Sequence, residues 1–278
     1  MNHIVVSNKD RSAAMRKYEF SFIGNSKTAV VPILQRYQSG EYRLVGTGSY
    51  FLEPNIFLSA KHLFEGDDIN EDDGFYSILE GNNDPIPFTA KWVHDESDIA
   101  LLWLDQTGIH YLKDVSPLGV MYDRPIESEI VAICGYAHSL VDHVLTEDNE
   151  NVFLQKVSLI LRWEVGGTLE IHETGRGFIK GECFETSILA EGRDSGSPLF
   201  NSCGFLIGIL SSSLSTTEGL PNSICTSILG LSDIILSGKP IKEQWNSAKR
   251  SAVCSIKKCA NKCFNGTPNS TSARSSAR

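Results

Sequence analysis

Short apolar runs, each bounded by glycine, proline or small polar residues, recur from about residue 29 to residue 236. The runs include Ala29–Leu34, Tyr42–Leu52, Ile56–Ala60, Ile99–Leu104, Glu129–Tyr136 and Gly204–Leu210. They are too short and too often punctuated for helices, and with 23 glycines and 10 prolines they predict an all-β chain. A polar stretch at 105–127, holding Pro117 and Pro125, divides the runs into two groups, about 28–104 and about 128–230. Asn151–Glu164 and Gly166–Cys183 are expected to add strands to the second group, and Leu231–Leu236 to close it with a short helix.

The flanks have a different composition. Residues 1–27 are mixed and polar and read as an arm; 239–278 are rich in Ser, Thr, Asn and Arg and read as a disordered basic tail. Nine of the 25 Lys and Arg but only one of the 34 acids, Glu243, lie from Lys239 onward. Residues 1–238 therefore carry 16 bases against 33 acids, an acidic body that excludes a polycationic face for nucleic acid. No apolar run is long enough to span a membrane. The start shows no basic segment followed by an apolar core, and seven cysteines are an odd number for a disulfide framework, so a cytoplasmic location is expected, with secretion by a non-standard route as the alternative.

Three clusters invite a metal reading, and spacing argues against each. In the acidic run Glu65–Gly74, a calcium-loop count from Asp68 puts Asp73 where the glycine belongs and Leu79 where the bidentate glutamate belongs. Cys254, Cys259 and Cys263 have no nearby histidine to complete a zinc site. His138, His143 and His172 lie in or beside polar loops without a second ligand, and are assigned to the surface.

Chemistry concentrates in Glu191-Gly192-Arg193-Asp194-Ser195-Gly196-Ser197-Pro198-Leu199-Phe200, a glycine-flanked turn opening onto an apolar strand. A serine held there becomes a nucleophile only if a base removes its proton and N–H donors await the oxyanion. His62 ends the run Phe57-Leu58-Ser59-Ala60-Lys61-His62. Asp98 opens Asp98-Ile99-Ala100-Leu101-Leu102-Trp103-Leu104 and is preferred to Asp95 and Glu96, which sit in the polar turn before it.

The Ser-Ala-x-His, Asp-Ile-Ala-Leu-Leu and Asp-Ser-Gly-Ser-Pro-Leu segments, in that order, resemble the motifs of a trypsin-like serine protease of the chymotrypsin fold, an S1-type peptidase of the PA clan. The resemblance covers about residues 28–238. It implies two six-stranded antiparallel β-barrels, with His62 as base, Asp98 as orienting acid and Ser195 as nucleophile. The N–H groups of Arg193 and Ser195 would form the oxyanion hole. Leu189, Ser211, Ser213 and Ser223 would shape the substrate pocket, with Leu189 at its floor, Ser223 facing it and the Ser211 hydroxyl meeting the buried acid.

With no acid at the floor, the pocket is expected to favour small or medium apolar side chains before the cut, unless Glu191 reaches its rim. Members of the family that are activated by cleavage pair a new amino terminus with the acid before the nucleophile, here Asp194. No clear activation site is present, Lys17–Tyr18 being a poor candidate, so internal donors are expected to hold Asp194. Arg193 departs from the family's glycine and leaves an alternative open: a protease-fold binding or regulatory module with impaired catalysis. An esterase is a weaker rival. The resemblance implies a protein or peptide substrate, with no metal and no organic cofactor, and leaves the oligomeric state open.

Overall fold

The computed structural model describes residues 29–231, apart from positions 53, 66–68, 70–73, 81, 83, 146–151 and 216–220. The arm with Lys17–Tyr18, most of the acidic run, the basic tail with its three cysteines and all but the first residue of the expected closing helix lie outside the described residues, as does the His143 side chain.

Six strands form the first barrel: β1 (Val30–Arg36), β2 (Tyr42–Leu52), β3 (Ile56–Ser59), β4 (Gly74–Ser77), β5 (Ile86–Val93) and β6 (Ala100–Leu104). They close in the order β1-β2-β3-β6-β5-β4, and every pairing is antiparallel. The run in β6 is continuously apolar because both its faces are buried. Ala100, Leu102 and Leu104 enter the barrel core with Val31, Ile33 and Phe57. Leu101 and Trp103 point the other way, into a cluster shared with Leu206 and Ile209 of the second barrel. Each such side chain contributes about 1.5–3 kcal/mol relative to exposure, so β6 ties its own barrel to the neighbouring one.

The second barrel closes as β10-β11-β14-β13-β12-β7. Its strands are β7 (Ile130–Gly135), β10 (Arg162–His172), β11 (Cys183–Thr186), β12 (Pro198–Asn201), β13 (Leu206–Ser215) and β14 (Pro221–Ser227). Val131, Ile133, Phe184, Leu199, Ile207 and Leu210 fill it. One expectation from the sequence is corrected. The strand within 151–164 does not join this barrel, because β8 (Leu140–Leu145) and β9 (Val152–Ser158) pair only with each other, while β10 pairs directly with β7. A 3-10 turn, Ile228–Leu231, ends the described chain. No helix among the described residues is long and apolar enough to cross a membrane.

Where the barrels meet, Tyr136 donates its hydroxyl to the Val30 carbonyl (2.8 Å) and its N–H to the Thr47 hydroxyl (3.2 Å). Thr47 in turn donates its N–H to the carbonyl of Ser195 (2.9 Å). The Ser195 turn of one barrel is thereby pinned to strand β2 of the other.

Candidate active site

The apolar strand β3 ends at Ser59, and a 3-10 turn, Lys61–Phe64, carries His62 out of the first barrel. Asp98 stands two residues before β6, in a turn organised by His94, whose Nδ1 accepts the N–H groups of Glu96 and Ser97 (3.1 Å each). Since β3 and β6 are paired, with Ser59 opposite Ala100, the histidine turn and the aspartate turn leave the sheet side by side. The Asp98 carboxylate is buried and accepts twice from the same residue: the His62 backbone N–H on Oδ1 (2.8 Å) and the imidazole Nδ1 on Oδ2 (2.8 Å). With Nδ1 donating, Nε2 carries the lone pair and can accept a proton.

Ser195 lies in the turn before β12, and His62 shares a cleft of about 420 Å³ with it; Phe178, Glu191 and the Ser211–Ser213 end of β13 also line this cleft. The turn is fixed by local bonds from Ser197 N–H to the Asp194 carbonyl (2.9 Å) and from Gly196 N–H to the Leu210 carbonyl (2.8 Å). Gly196 has φ +84°, and a Cβ there would run into the Thr47 carbonyl oxygen and the Ser59 hydroxyl, so only glycine fits.

Arg193 has φ +75°, the left-handed conformation that glycine supplies in the family pattern. For a side chain bearing a Cβ this costs about 1–2 kcal/mol. Two bonds offset the strain: Thr47 Oγ1 donates to the Arg193 carbonyl (3.3 Å), and Arg193 Nη1 donates to the Ser139 carbonyl (2.9 Å).

Asp194 has no solvent exposure. Its carboxylate accepts from Arg162 Nη2 (2.5 Å) and Nε (3.4 Å) and from the Glu191 N–H (3.0 Å). Internal donors therefore hold it, and the main one is an arginine that the sequence reading did not single out. The signal was present: Arg162 is a lone charge in Leu159-Ile160-Leu161-Arg162-Trp163, and a charge in such a setting must find a partner. The same guanidinium takes Glu191 Oε1 (3.0 Å), while His138 Nε2 lies 3.0 Å from Glu191 Oε2. Both carboxylate oxygens at the rim are engaged within the chain.

The expected pocket residues separate into two groups. Ser211 and Ser213 line the cleft with Ala190 and Gly192. Leu189 is not among its lining residues and gives its carbonyl to Arg162 Nη2 (2.8 Å). Ser223 is fully buried and bonded to Thr186 Oγ1 (2.7 Å), because β14 is paired with β11 at that point. The Ser211 hydroxyl bonds Thr226 Oγ1 (2.6 Å) instead of reaching Asp98. Phe178 was not foreseen: its ring is 57% exposed and stands edge-on to the His62 imidazole at 6.0 Å between centroids. It comes from the β10–β11 turn, and a solitary phenylalanine in a Gly-rich loop carries no signal of where that loop folds.

Of the three loop histidines, His138 is exposed, as expected, but His172 is not. Its side chain is largely covered, with Nε2 3.2 Å from Glu185 Oε1. Among the described residues, Glu170, His172 and Glu185 are the group close enough to gather a cation. That position already has one in the Arg176 guanidinium, paired with Glu185 and 3.7 Å from Glu170. The cluster clamps the turn that carries Phe178.

A sequence model of the Trypsin family matches residues 31–235. Among solved structures, the chain is similar to the Rv3671c protease from M. tuberculosis in the crystal structure of its active form. The TM-score is 0.56 at 13% identity, over 80% of this chain and 85% of that one, a likeness of fold. No curated protein matches the chain in sequence.

Proposed function

Since this chain belongs to the trypsin family, we propose that it is a serine endopeptidase working through an acyl-enzyme on Ser195. The observation that carries the proposal is the pair of hydrogen bonds that Asp98 accepts from His62, one from its backbone N–H and one from its imidazole, with His62 in the cleft that also holds Ser195. In this reading Ser195 Oγ attacks the peptide carbonyl carbon while His62 Nε2 removes its proton. The carbonyl oxygen, now anionic, is received by the N–H groups of Arg193 and Ser195, each such donor contributing on the order of 3 kcal/mol in the transition state. His62 returns the proton to the departing amine as the C–N bond breaks. Water then attacks the ester by the same route in reverse.

Catalysis is assigned to residues 28–238, with 1–27 as an arm and 239–278 as a basic tail. The side chain before the cut is small or medium and apolar. Ala190, Gly192 and Leu210 support this, as does Glu191, whose carboxylate is taken by Arg162 and His138.

A fluorophosphonate probe tests the proposal. Labelling at Ser195 that disappears in His62→Ala supports it; folded protein that takes no label is instead a binding module on a protease fold.

A further inference from the structure

Arg193, absent from the lining of the cleft that holds His62 and Ser195, lines a second one. On the far side of the nucleophile turn, about 410 Å³ is enclosed by Arg193 with Tyr37, Tyr42 and Arg43 of the first barrel and with Leu140 and Val141 of β8. Its chemistry differs from that of the first cleft. Two tyrosines and three aliphatic residues, Leu44, Leu140 and Val141, line it together with two arginines. Glu41 is the one carboxylate in the lining, so the balance there is positive. That is a local reversal, because residues 1–238 carry 33 acids against 16 bases.

The Arg193 head group is exposed yet fixed. Its bond to the Ser139 carbonyl uses one of the five N–H donors of a guanidinium. The geometry of attack relates the two clefts. A peptide whose carbonyl oxygen rests on the Arg193 N–H, with its acyl half along Ser211–Ser213, sends its amine half past the Arg193 side chain and out of the first cleft. Arg193 is the residue by which that path reaches the second cleft, because it belongs to the lining.

We infer that the second cleft receives the leaving half of the cleaved peptide and selects Asp or Glu in the first residues after the cut. This rests on the endopeptidase reading, which gives Arg193 its place at the reacting carbonyl. A carboxylate on the leaving half meets Arg193 in a charge-assisted, two-point hydrogen bond, with Arg43 adding to the field. Because the site is open to water, the preference over lysine is on the order of tenfold, the lower end for such bonds.

The test is a binding titration. Fluorescent peptide amides beginning with Asp, Glu, Ala or Lys, as a leaving half would, are added to full-length Ser195→Ala protein. The same series is run on Ser195→Ala/Arg193→Gly and Ser195→Ala/Arg43→Ala, with polarisation as the readout. The acid-led peptides are expected to bind about tenfold more tightly than the Lys-led one, and Arg193→Gly, which suits the φ of that position, to bring the ratio near one. Equal affinity for Asp-led and Lys-led peptides overturns the inference, as does a preference that survives both arginine replacements. Probe labelling of Ser195 without any charge preference removes the leaving-group site alone. Charge preference without labelling removes the endopeptidase reading alone.

Discussion

The guanidinium of Arg162, at the head of β10, grips the solvent-free carboxylate of Asp194 through Nη2 and Nε, one residue before Ser195. It also takes the Leu189 carbonyl and Glu191, so residues 189–194 are laced to a strand of the barrel. In the proposed mechanism Arg162 is a positioning residue for the turn that would present the Arg193 and Ser195 N–H groups. Removing one partner of a buried ion pair costs about 3–5 kcal/mol, because the other charge stays buried and alone. Arg162→Ala is expected to lose stability of that order in chemical denaturation. Arg162→Met with Asp194→Asn removes both charges and should recover most of the melting temperature, while Ser195 labels at least tenfold more slowly than in the parent. Labelling at the parental rate in the double variant would reduce the pair to a structural role.

Asp98 accepts from both the backbone and the ring of His62, so its two functions are separable by substitution. Asp98→Asn retains an acceptor for the backbone N–H but turns an amide N–H₂ toward the ring, which favours the tautomer with Nε2 protonated. On a peptide substrate, kcat should fall by about four orders of magnitude with KM little changed. The melting temperature should stay close to that of the parent, which steady-state kinetics and calorimetry on one preparation would check.

How much of this was legible in the sequence depended on how local the cause was. The β6 run, the Gly196 turn and the placing of His62 and Asp98 at strand ends follow from neighbours a few residues away. Pattern therefore grouped the strands and picked out the three candidate residues, while the family resemblance supplied the two closed barrels. Leu189, Ser223 and the Ser211 hydroxyl depended on strand register and on which carbonyls needed donors. Arg162 takes the Leu189 carbonyl, and Thr186 and Thr226 take the two hydroxyls, pairings across strands that no single segment encodes. Phe178 and Arg162 reach the site from residues distant in the chain, and β9, within 151–164, looked like a barrel strand because a hairpin outside a barrel has the same alternation as one inside it.

Thiol chemistry tests the packing of the second barrel. Burial pushes the Cys225 thiol up to about 12 and raises Cys183 as well, while Cys134 is fully buried. Cys203 is exposed in the turn after β12. Since the thiolate is the reactive form, iodoacetamide at pH 8 should modify Cys203 first among these four. The other three should react only in denaturant, as read by peptide mass spectrometry. Cys203→Ser should change stability by no more than about 0.5 kcal/mol.

The turn that carries Asp98 should weaken in acid through His94. Desolvation lowers the pKa of this imidazole below its ordinary 6.5; Asp95 and Glu96 act to raise it, and Lys61 acts to lower it further. Its Nδ1 must also stay unprotonated to accept the N–H groups of Glu96 and Ser97. Between the folded and unfolded pKa values the unfolded chain holds more protons, so stability rises with pH there. The contribution is complete above pH 6.5 and is lost as pH falls through the depressed folded value. His94→Asn keeps an acceptor near the Nδ1 position without a titrating group. Its melting temperature should decline less steeply than the parent's as pH falls below 6.5. His94→Ala, which deprives two N–H groups of their partner, should be less stable by about 1–2 kcal/mol across the whole range. Parallel slopes for the parent and His94→Asn would show that His94 does not govern the turn.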